Sequence, residues 1–194
     1  MKPPKSTIKI FDDIIPKELS TKLSAFVKKP IWQYGWRSNI HNSSYFFWHS
    51  HFAGGDTGSD SDCTALLLSS IEMEPIYELW IKIANLYPSP HKLLRAYANG
   101  HTYGTEGYVH QDSNQEDQLS SVYFSHDEWN PDWGAELQFY DENGDILMSV
   151  TPRPGRVVIF PGYIPHRATS LSRMCPLLRV SIVFKFIPYP LPLQ

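Results

Sequence analysis

The chain has 194 residues, the size of one domain, and 42% of them are hydrophobic while only 19% are charged. This balance excludes intrinsic disorder as the main state, and a net charge of −3 argues against a dedicated nucleic-acid-binding protein, which would carry a basic surplus. The 16 prolines favour many turns and short strands over a helical bundle.

The N-terminal part of the chain is predicted to be helical. Apolar residues recur at helical spacing directly after Pro16, a favoured residue at a helix start, and they predict a first helix that ends before Pro30. A second helical region is predicted over 64–87, interrupted near Pro75. The polar segment 54–62 between them is typical of a flexible loop.

From residue 93 onward the pattern becomes that of short strands separated by turn residues. The sequence Asn143-Gly144 predicts a hairpin turn, and the proline-rich segment 187–194 is not expected to continue a central strand. Apolar or alternating runs predict six strands, over 93–98, 119–124, 136–140, 146–150, 157–160 and 178–186.

Helices followed by strands predict a mainly β fold with N-terminal helices, an α+β arrangement in which helices buttress a jelly roll. We expect a single domain over 1–194. A helical support region and loop would occupy 1–90, the jelly-roll core 91–187, and a proline-rich tail 188–194.

Three residues form a candidate metal site. In the segment YVHQD at 108–112, His110 and Asp112 point the same way if the backbone is extended. A second histidine, His166, follows an apolar strand in PGYIPH at 161–166. Two imidazoles and one carboxylate form a facial triad that suits Fe(II) and leaves three of six positions open. The alternative is a surface His and Asp beside a loop.

Arg179 is a candidate for binding an anion. Strand alternation places Arg179 and Ser181 on the face opposite Leu178 and Val180. A buried guanidinium is costly without an anionic partner, and its planar fork matches a carboxylate. Arg179 is therefore a candidate for the distal carboxylate of a dicarboxylate cosubstrate. The alternative is an edge-strand arginine that faces solvent.

The stretch from 93 to 186 resembles the prolyl-4-hydroxylase-like branch of the Fe(II)/2-oxoglutarate-dependent dioxygenases. Each motif is short, but their order and spacing together are specific. The matching motifs are LRAYANG at 94–100, YVHQD at 108–112, WNPDWGAELQFY at 129–140, PRPGRVVIF at 152–160, PH at 165–166 and RVS at 179–181.

The resemblance implies a double-stranded β-helix with iron at its open end. By that resemblance His110, Asp112 and His166 would be the iron ligands and the catalytic residues. The cofactors would be Fe(II), 2-oxoglutarate and O₂, with ascorbate as a candidate reductant.

The same resemblance implies a site for 2-oxoglutarate. Arg179, helped by Ser181, would pair with its 5-carboxylate, and Tyr97 would donate its hydroxyl to it. Some relatives carry a further tyrosine in the strand after the HxD motif, which here is His110-Gln111-Asp112. Tyr123 and Phe124 are the two residues here that could correspond to it.

Other polar and aromatic residues are candidates for contacting the substrate. Arg95 and Asn99 should share one strand face with Tyr97, as expected of residues that line a cavity. Trp129 and Trp133 flank a turn, where packing and substrate contact are both open.

Three further features concern the aromatic segment, two histidines and the two cysteines. The aromatic segment 44–51 is interpreted as a packed strand, or as a substrate wall within a lid over 41–62. Two lone histidines, His101 and His126, are interpreted as loop residues. Cys63 and Cys175 lack metal-ligand spacing and are predicted to be free thiols.

The sequence thus predicts a hydroxylase that oxidises a C–H bond of a prolyl, peptidyl or small-molecule substrate and releases succinate and CO₂. Two alternatives stay open: another oxidative outcome such as desaturation or epimerisation, and a catalytically silent metal-binding jelly roll. We expect no nucleic-acid or membrane partner and a cytoplasmic location, because no signal peptide or membrane-length apolar stretch is present. The oligomeric state is left open.

Overall fold

The residues described by the computed structural model are 7–38, 46–55 and 61–189, and they form ten strands and two α-helices. In chain order these are β1 (Lys9–Phe11), α1 (Lys17–Val27), β2 (Gln33–Trp36), β3 (Phe47–Gly54), α2 (Glu74–Ala84), β4 (His91–His101), β5 (Leu119–Phe124), β6 (Leu137–Tyr140), β7 (Ile146–Val150), β8 (Val157–Pro161), β9 (His166–Ala168) and β10 (Arg179–Pro188).

The strands form two antiparallel sheets. The major sheet has seven strands in the order β1-β8-β5-β10-β4-β3-β2, and the minor sheet has three in the order β7-β6-β9. Apolar residues of both sheets pack into one cluster between them, for example Phe124 and Phe160 with Leu137 and Phe139. This arrangement confirms the predicted jelly-roll architecture.

The helices cover the other face of the major sheet. The first helix begins after Pro16 and buries Leu23 and Phe26, as its 3.6-residue apolar pattern predicts. On α2, Leu79 and Trp80 are buried in the same cluster. Both helices are thus held by packing against the sheet, and among the described residues no helix has the length and apolarity of a bilayer span.

The second helical region differs from the prediction in detail. Two short 3₁₀ turns, Thr64–Leu68 and Ile71–Met73, precede α2. Pro75 lies in the first turn of α2 and so begins this helix instead of interrupting one. Proline is tolerated there because the first N–H groups of a helix have no partner within it.

The N-terminal region is also less purely helical than predicted, because it supplies three strands. Strand β3 pairs with β4, β2 pairs with β3 at one edge, and β1 pairs with β8 at the other edge. The aromatic segment is therefore a strand from Phe47 onward, as one of its two interpretations held.

All six predicted strands are confirmed, although β4 and β10 are longer than expected. The expectation that the segment from 187 leaves the sheet was wrong for Ile187 and Pro188, which pair with Lys92 and His91. Pairing of β10 with β5 ends at Phe186, so beyond it no described strand pairs with that side of β10. A proline, which lacks an N–H, can therefore be accommodated at that point.

Two local predictions are confirmed. The 141–145 turn joins β6 to β7, and Gly144 at its tip has a positive φ of 83°, a conformation that glycine adopts without strain. Cys63 and Cys175 are both free thiols.

Candidate metal centre and cosubstrate pocket

Backbone hydrogen bonds place the two halves of the predicted triad side by side. The N–H of His110 donates to the carbonyl of His166 at 3.0 Å, and the reverse bond is 2.9 Å. The N–H of Asp112 donates to the carbonyl of Gly162 at 2.8 Å. Residues 108–112 therefore lie antiparallel to the segment that carries His166, although 56 positions separate the two histidines in the sequence.

Each imidazole is held in one tautomer. The Nδ1 atoms of His110 and His166 lie 2.8 and 2.9 Å from the carbonyl oxygens of Tyr108 and Ile164. Because a carbonyl only accepts, both Nδ1 atoms must donate, and both Nε2 lone pairs are free.

The free nitrogens converge on the carboxylate. The Nε2 atoms of His110 and His166 lie 3.5 and 3.6 Å from Oδ1 and Oδ2 of Asp112. One ligand atom from each of the three residues lies within 4.8 Å of the other two. Such a cluster of two imidazoles and one carboxylate has the donor set and spacing of a facial divalent-metal site.

The Asp112 carboxylate is buried and ionised. Burial would raise its pKa, but Lys185, His166 and His110 outweigh burial and hold the pKa well below its usual value. The Ser120 hydroxyl donates to Oδ2 at 2.6 Å. For His166, burial lowers the pKa to about 4, so that imidazole stays neutral and able to ligate a metal at neutral pH.

Lys185 and Ser120 are site residues that the sequence reasoning missed. The Lys185 ammonium lies 2.9 Å from Oδ1 of Asp112. Burial would lower the pKa of Lys185, but Tyr97 and Asp112 outweigh it and raise the pKa. The alternation that placed Arg179 on the site face also places Lys185 there, six residues further along β10, so the signal was present.

Arg179 lies beside the triad with unused hydrogen-bonding capacity. Its Nη1 donates to the Ser181 hydroxyl at 3.1 Å, while Nε and Nη2 have no hydrogen-bond partner among the described residues. The side chain is only 2% exposed, and its guanidinium stacks 5.0 Å from the Phe124 ring. Burial lowers the pKa of Arg179 to about 10, against an opposing effect of Glu136. Two buried, unpaired N–H donors fit a bound carboxylate.

One pocket joins the triad to this arginine. It brings together six of the residues singled out in the sequence: His110, Asp112, His166, Tyr97, Arg179 and Ser181. Asn99 and His101 also line it. His101 therefore lies at the end of β4 and not in a loop, and burial lowers its pKa to about 3.

Strand β5, which follows the HxD motif, places the phenyl ring of Phe124 on the side of the pocket. Phe124 packs with Tyr97 in the cluster between the sheets and contacts Arg179. Tyr123 packs in the cluster beneath the helices, where burial raises its pKa. Among the described residues, Tyr97 is the tyrosine that lines this pocket.

The remaining substrate candidates divide into two groups. The Arg95 guanidinium lies over the rings of Trp36 and Tyr97, at 5.0 and 4.7 Å, and Asn99 accepts a hydrogen bond from His49 at 2.9 Å. Both therefore share the site face of β4 with Tyr97, as predicted.

The two tryptophans lie elsewhere. Trp129 and Trp133 contact each other edge to face at 5.4 Å, and Trp129 packs on His126. Neither lines the pocket. The predicted lid over 41–62 falls in part on 41–45 and 56–60, which lie outside the described residues.

The double-stranded β-helix carries a His-Asp-His cluster with the donor set of a facial divalent-iron site. Residues 94–186 match the family model of the 2OG-Fe(II) oxygenase superfamily. Over this segment, which is just under half of the chain, the sequence is similar to that superfamily, whose members use Fe(II), 2-oxoglutarate and O₂.

Solved structures show the same fold. A Trichoplax adhaerens prolyl hydroxylase, solved with a hypoxia inducible factor peptide fragment, has 15% identity and a TM-score of 0.69 and covers 95% of this chain and 84% of its own. A Burkholderia pseudomallei 2OG-Fe(II) oxygenase family protein has 12% identity, a TM-score of 0.73 and coverage of 94% and 86%. A Pseudomonas putida prolyl-4-hydroxylase has 14% identity and a TM-score of 0.56, and the match covers 95% of this chain and 94% of that one. Curated protein sequences give no match.

Proposed function

We propose that this protein is a hydroxylase in which His110, Asp112 and His166 bind one Fe(II) and Arg179 binds the distal carboxylate of 2-oxoglutarate. One observation carries the proposal. Three metal-donor atoms lie within 4.8 Å of one another in a pocket whose wall holds a buried arginine with two unpaired donors. When bound, Fe(II) and 2-oxoglutarate supply the oxygen-activating chemistry that releases succinate and CO₂.

The protein's own residues prepare this site in four ways. The carbonyls of Tyr108 and Ile164 fix both imidazole tautomers, so that Nε2 is presented without reorganisation. The low pKa of Asp112 keeps its carboxylate ionised. Burial of Arg179 excludes water from its guanidinium and so strengthens its pairing with an anion. Burial also raises the pKa of Tyr97, which keeps its hydroxyl protonated and able to donate.

The substrate class proposed is a prolyl, peptidyl or small-molecule C–H donor. Support for a peptidyl substrate comes from the Trichoplax adhaerens neighbour, which was solved with a peptide fragment. A gain of one oxygen in the product would identify hydroxylation, whereas a loss of two hydrogens would identify desaturation.

The test is to measure O₂ uptake and succinate release by the iron-loaded protein with 2-oxoglutarate. We expect O₂ uptake and succinate release in equal molar amounts, both for the wild type and for His51→Ala, which removes an exposed histidine of β3. Neither should occur with His166→Ala. Absence of succinate from an iron-loaded wild type, with a panel of peptide and small-molecule substrates, would favour the silent metal-binding module.

A further inference from the structure

Lys185 is a charged group of the site that the proposed function does not use. Its side chain is 16% exposed, and its Nζ lies 2.9 Å from Oδ1 of Asp112. The ammonium therefore lies next to a candidate metal ligand, on the same face of β10 as Arg179 and Ser181. A buried lysine is costly unless it has a partner, so its position calls for a reason.

The groups that face Lys185 come from the neighbouring strands β4 and β5. Arg95 of β4 is directly opposite Lys185 in the strand register, and the centroid of the Tyr97 ring lies 5.9 Å from Nζ of Lys185. From β5, the neutral Ser120 hydroxyl binds the other oxygen of Asp112. Among the described residues, Asp112 is the carboxylate that pairs with Lys185.

The two donors to Asp112 form a natural contrast. Ser120 and Lys185 each donate to one carboxylate oxygen, at 2.6 and 2.9 Å, and both restrict how the carboxylate can rotate. Only Lys185 adds a positive charge. Coulomb's law makes that charge repel a trivalent ion more strongly than a divalent ion at the same position. Outer partners of a metal ligand tune the metal in this way.

We propose that Lys185 is a positioning residue that orients Asp112 and whose charge favours ferrous over ferric iron in this site. This inference rests on the proposed function, because it requires that Asp112 binds iron. Lys185 thereby weakens the binding of any divalent metal and weakens the binding of Fe(III) still more. The site gives up metal affinity and gains resistance to the one-electron oxidation of Fe(II) to Fe(III).

Four variants separate charge from hydrogen bonding. Lys185→Met removes both, Lys185→Gln keeps a neutral donor, and Lys185→Arg keeps the charge. Ser120→Ala removes a neutral donor from the same carboxylate and serves as the matched control. Circular dichroism melting establishes which variants fold, and Lys185→Gln tests the charge even if Lys185→Met is unfolded.

Two readouts are needed, neither of which is activity. Calorimetry gives the affinity for Mn(II), and an anaerobic redox titration of the iron-loaded protein gives the ferric/ferrous midpoint potential. Lys185→Gln and Lys185→Met should bind Mn(II) about tenfold more tightly, as expected for removing a unit charge a few ångströms away. The ferric/ferrous midpoint potential of Lys185→Gln and Lys185→Met should fall. Lys185→Arg should keep the Mn(II) affinity and the midpoint potential of the wild type. Ser120→Ala should not strengthen Mn(II) binding.

The outcomes are distinguishable from failure of the proposed function. A wild type that does not bind Mn(II) would overturn the proposed function, and this inference with it. A wild type that binds Mn(II), together with unchanged or weaker binding and an unchanged potential in Lys185→Gln, would overturn the role of Lys185 alone.

Discussion

The two faces of strand β10 have opposite chemical characters. One face carries apolar side chains such as Ile182 and Phe184, which pack beneath the helices. The other face carries Arg179, Ser181 and Lys185, which point toward the triad. A single ten-residue strand thus contributes both to the core and to the site.

This difference between the two faces of β10 separates residues that stabilise the fold from residues that serve the chemistry of the site. Phe184 is fully buried and packs 5.7 Å from Trp80, so its burial stabilises the fold. Arg179 is equally buried, yet burial lowers its pKa to about 10, which means that the folded protein bears a cost for its charge. At Arg179, therefore, the polar face is retained at a cost in stability.

The largest effect is expected at the triad. His166→Ala should abolish Mn(II) or Fe(II) binding and turnover, because two donors cannot hold the metal. Its ring packs 4.6 Å from Phe160, so the free energy of unfolding should fall by only about 1–2 kcal/mol. Calorimetry with Mn(II) and denaturant unfolding measure the two quantities. Full metal binding by His166→Ala, with His51→Ala as control, would refute the ligand assignment.

The apolar face of β10 can be altered by a substitution that leaves the site residues unchanged. Phe184→Ala should lower the free energy of unfolding by about 3–5 kcal/mol, since it leaves a cavity against Trp80. Leu68→Ala, at a side chain that is 60% exposed, should change it by less than about 0.5 kcal/mol. Urea unfolding followed by tryptophan fluorescence measures both. Equal effects of the two variants would contradict the packing described.

The polar face is tested by Arg179→Met. Binding of 2-oxoglutarate to the Mn(II)-loaded protein should weaken by about 2–5 kcal/mol, the usual loss when a buried charge pair is broken. Mn(II) affinity should stay the same, and Arg153→Met, which removes an exposed arginine, should change neither. Unchanged 2-oxoglutarate affinity would refute the role assigned to Arg179.

The smallest effect is expected far from both faces, at the ion pair of Asp12 and Arg156. The Arg156 guanidinium, which donates to both carboxylate oxygens at 2.8 and 2.9 Å, lowers the pKa of Asp12 from 3.8. A folded pKa below the unfolded one gives stability that is present above pH 3.8 and is lost as the pH falls through the lower folded value.

Asp12→Asn should therefore cost about 0.2–1 kcal/mol near neutral pH, as for other exposed pairs. The difference from the wild type should vanish in acid. Unfolding experiments at several pH values check this, and a difference that grows on acidification would have the wrong sign.

Much of this division could be predicted from the sequence because it depends on local pattern. Alternation fixed both ends of β5 and β7 and assigned the two faces of β10. The apolar spacing after Pro16 fixed α1. The triad was predicted because the spacing of His110 and Asp112, with His166 after a later strand, fits a facial metal site, and because the family resemblance over 93–186 implies the same three ligands.

The features that were missed depend on contacts between distant parts of the chain. Strand β1 has three residues, and its pairing with β8 spans about 150 positions, which local pattern cannot reveal. The pairing of Lys185 with Asp112 likewise requires β10 to lie beside β5. Pro188 can belong to β10 because the pairing of β10 with β5 stops at Phe186. This depends on how the strands pair in the sheet and not on the local sequence of β10.

The central claim is that the triad and Arg179 together form one site for metal and 2-oxoglutarate. The most direct measurement is calorimetric titration of 2-oxoglutarate into the protein with and without Mn(II). We predict binding at one site per chain when Mn(II) is present, and its loss both without metal and in Asp112→Ala. Equal affinity for 2-oxoglutarate with and without Mn(II) would contradict the account.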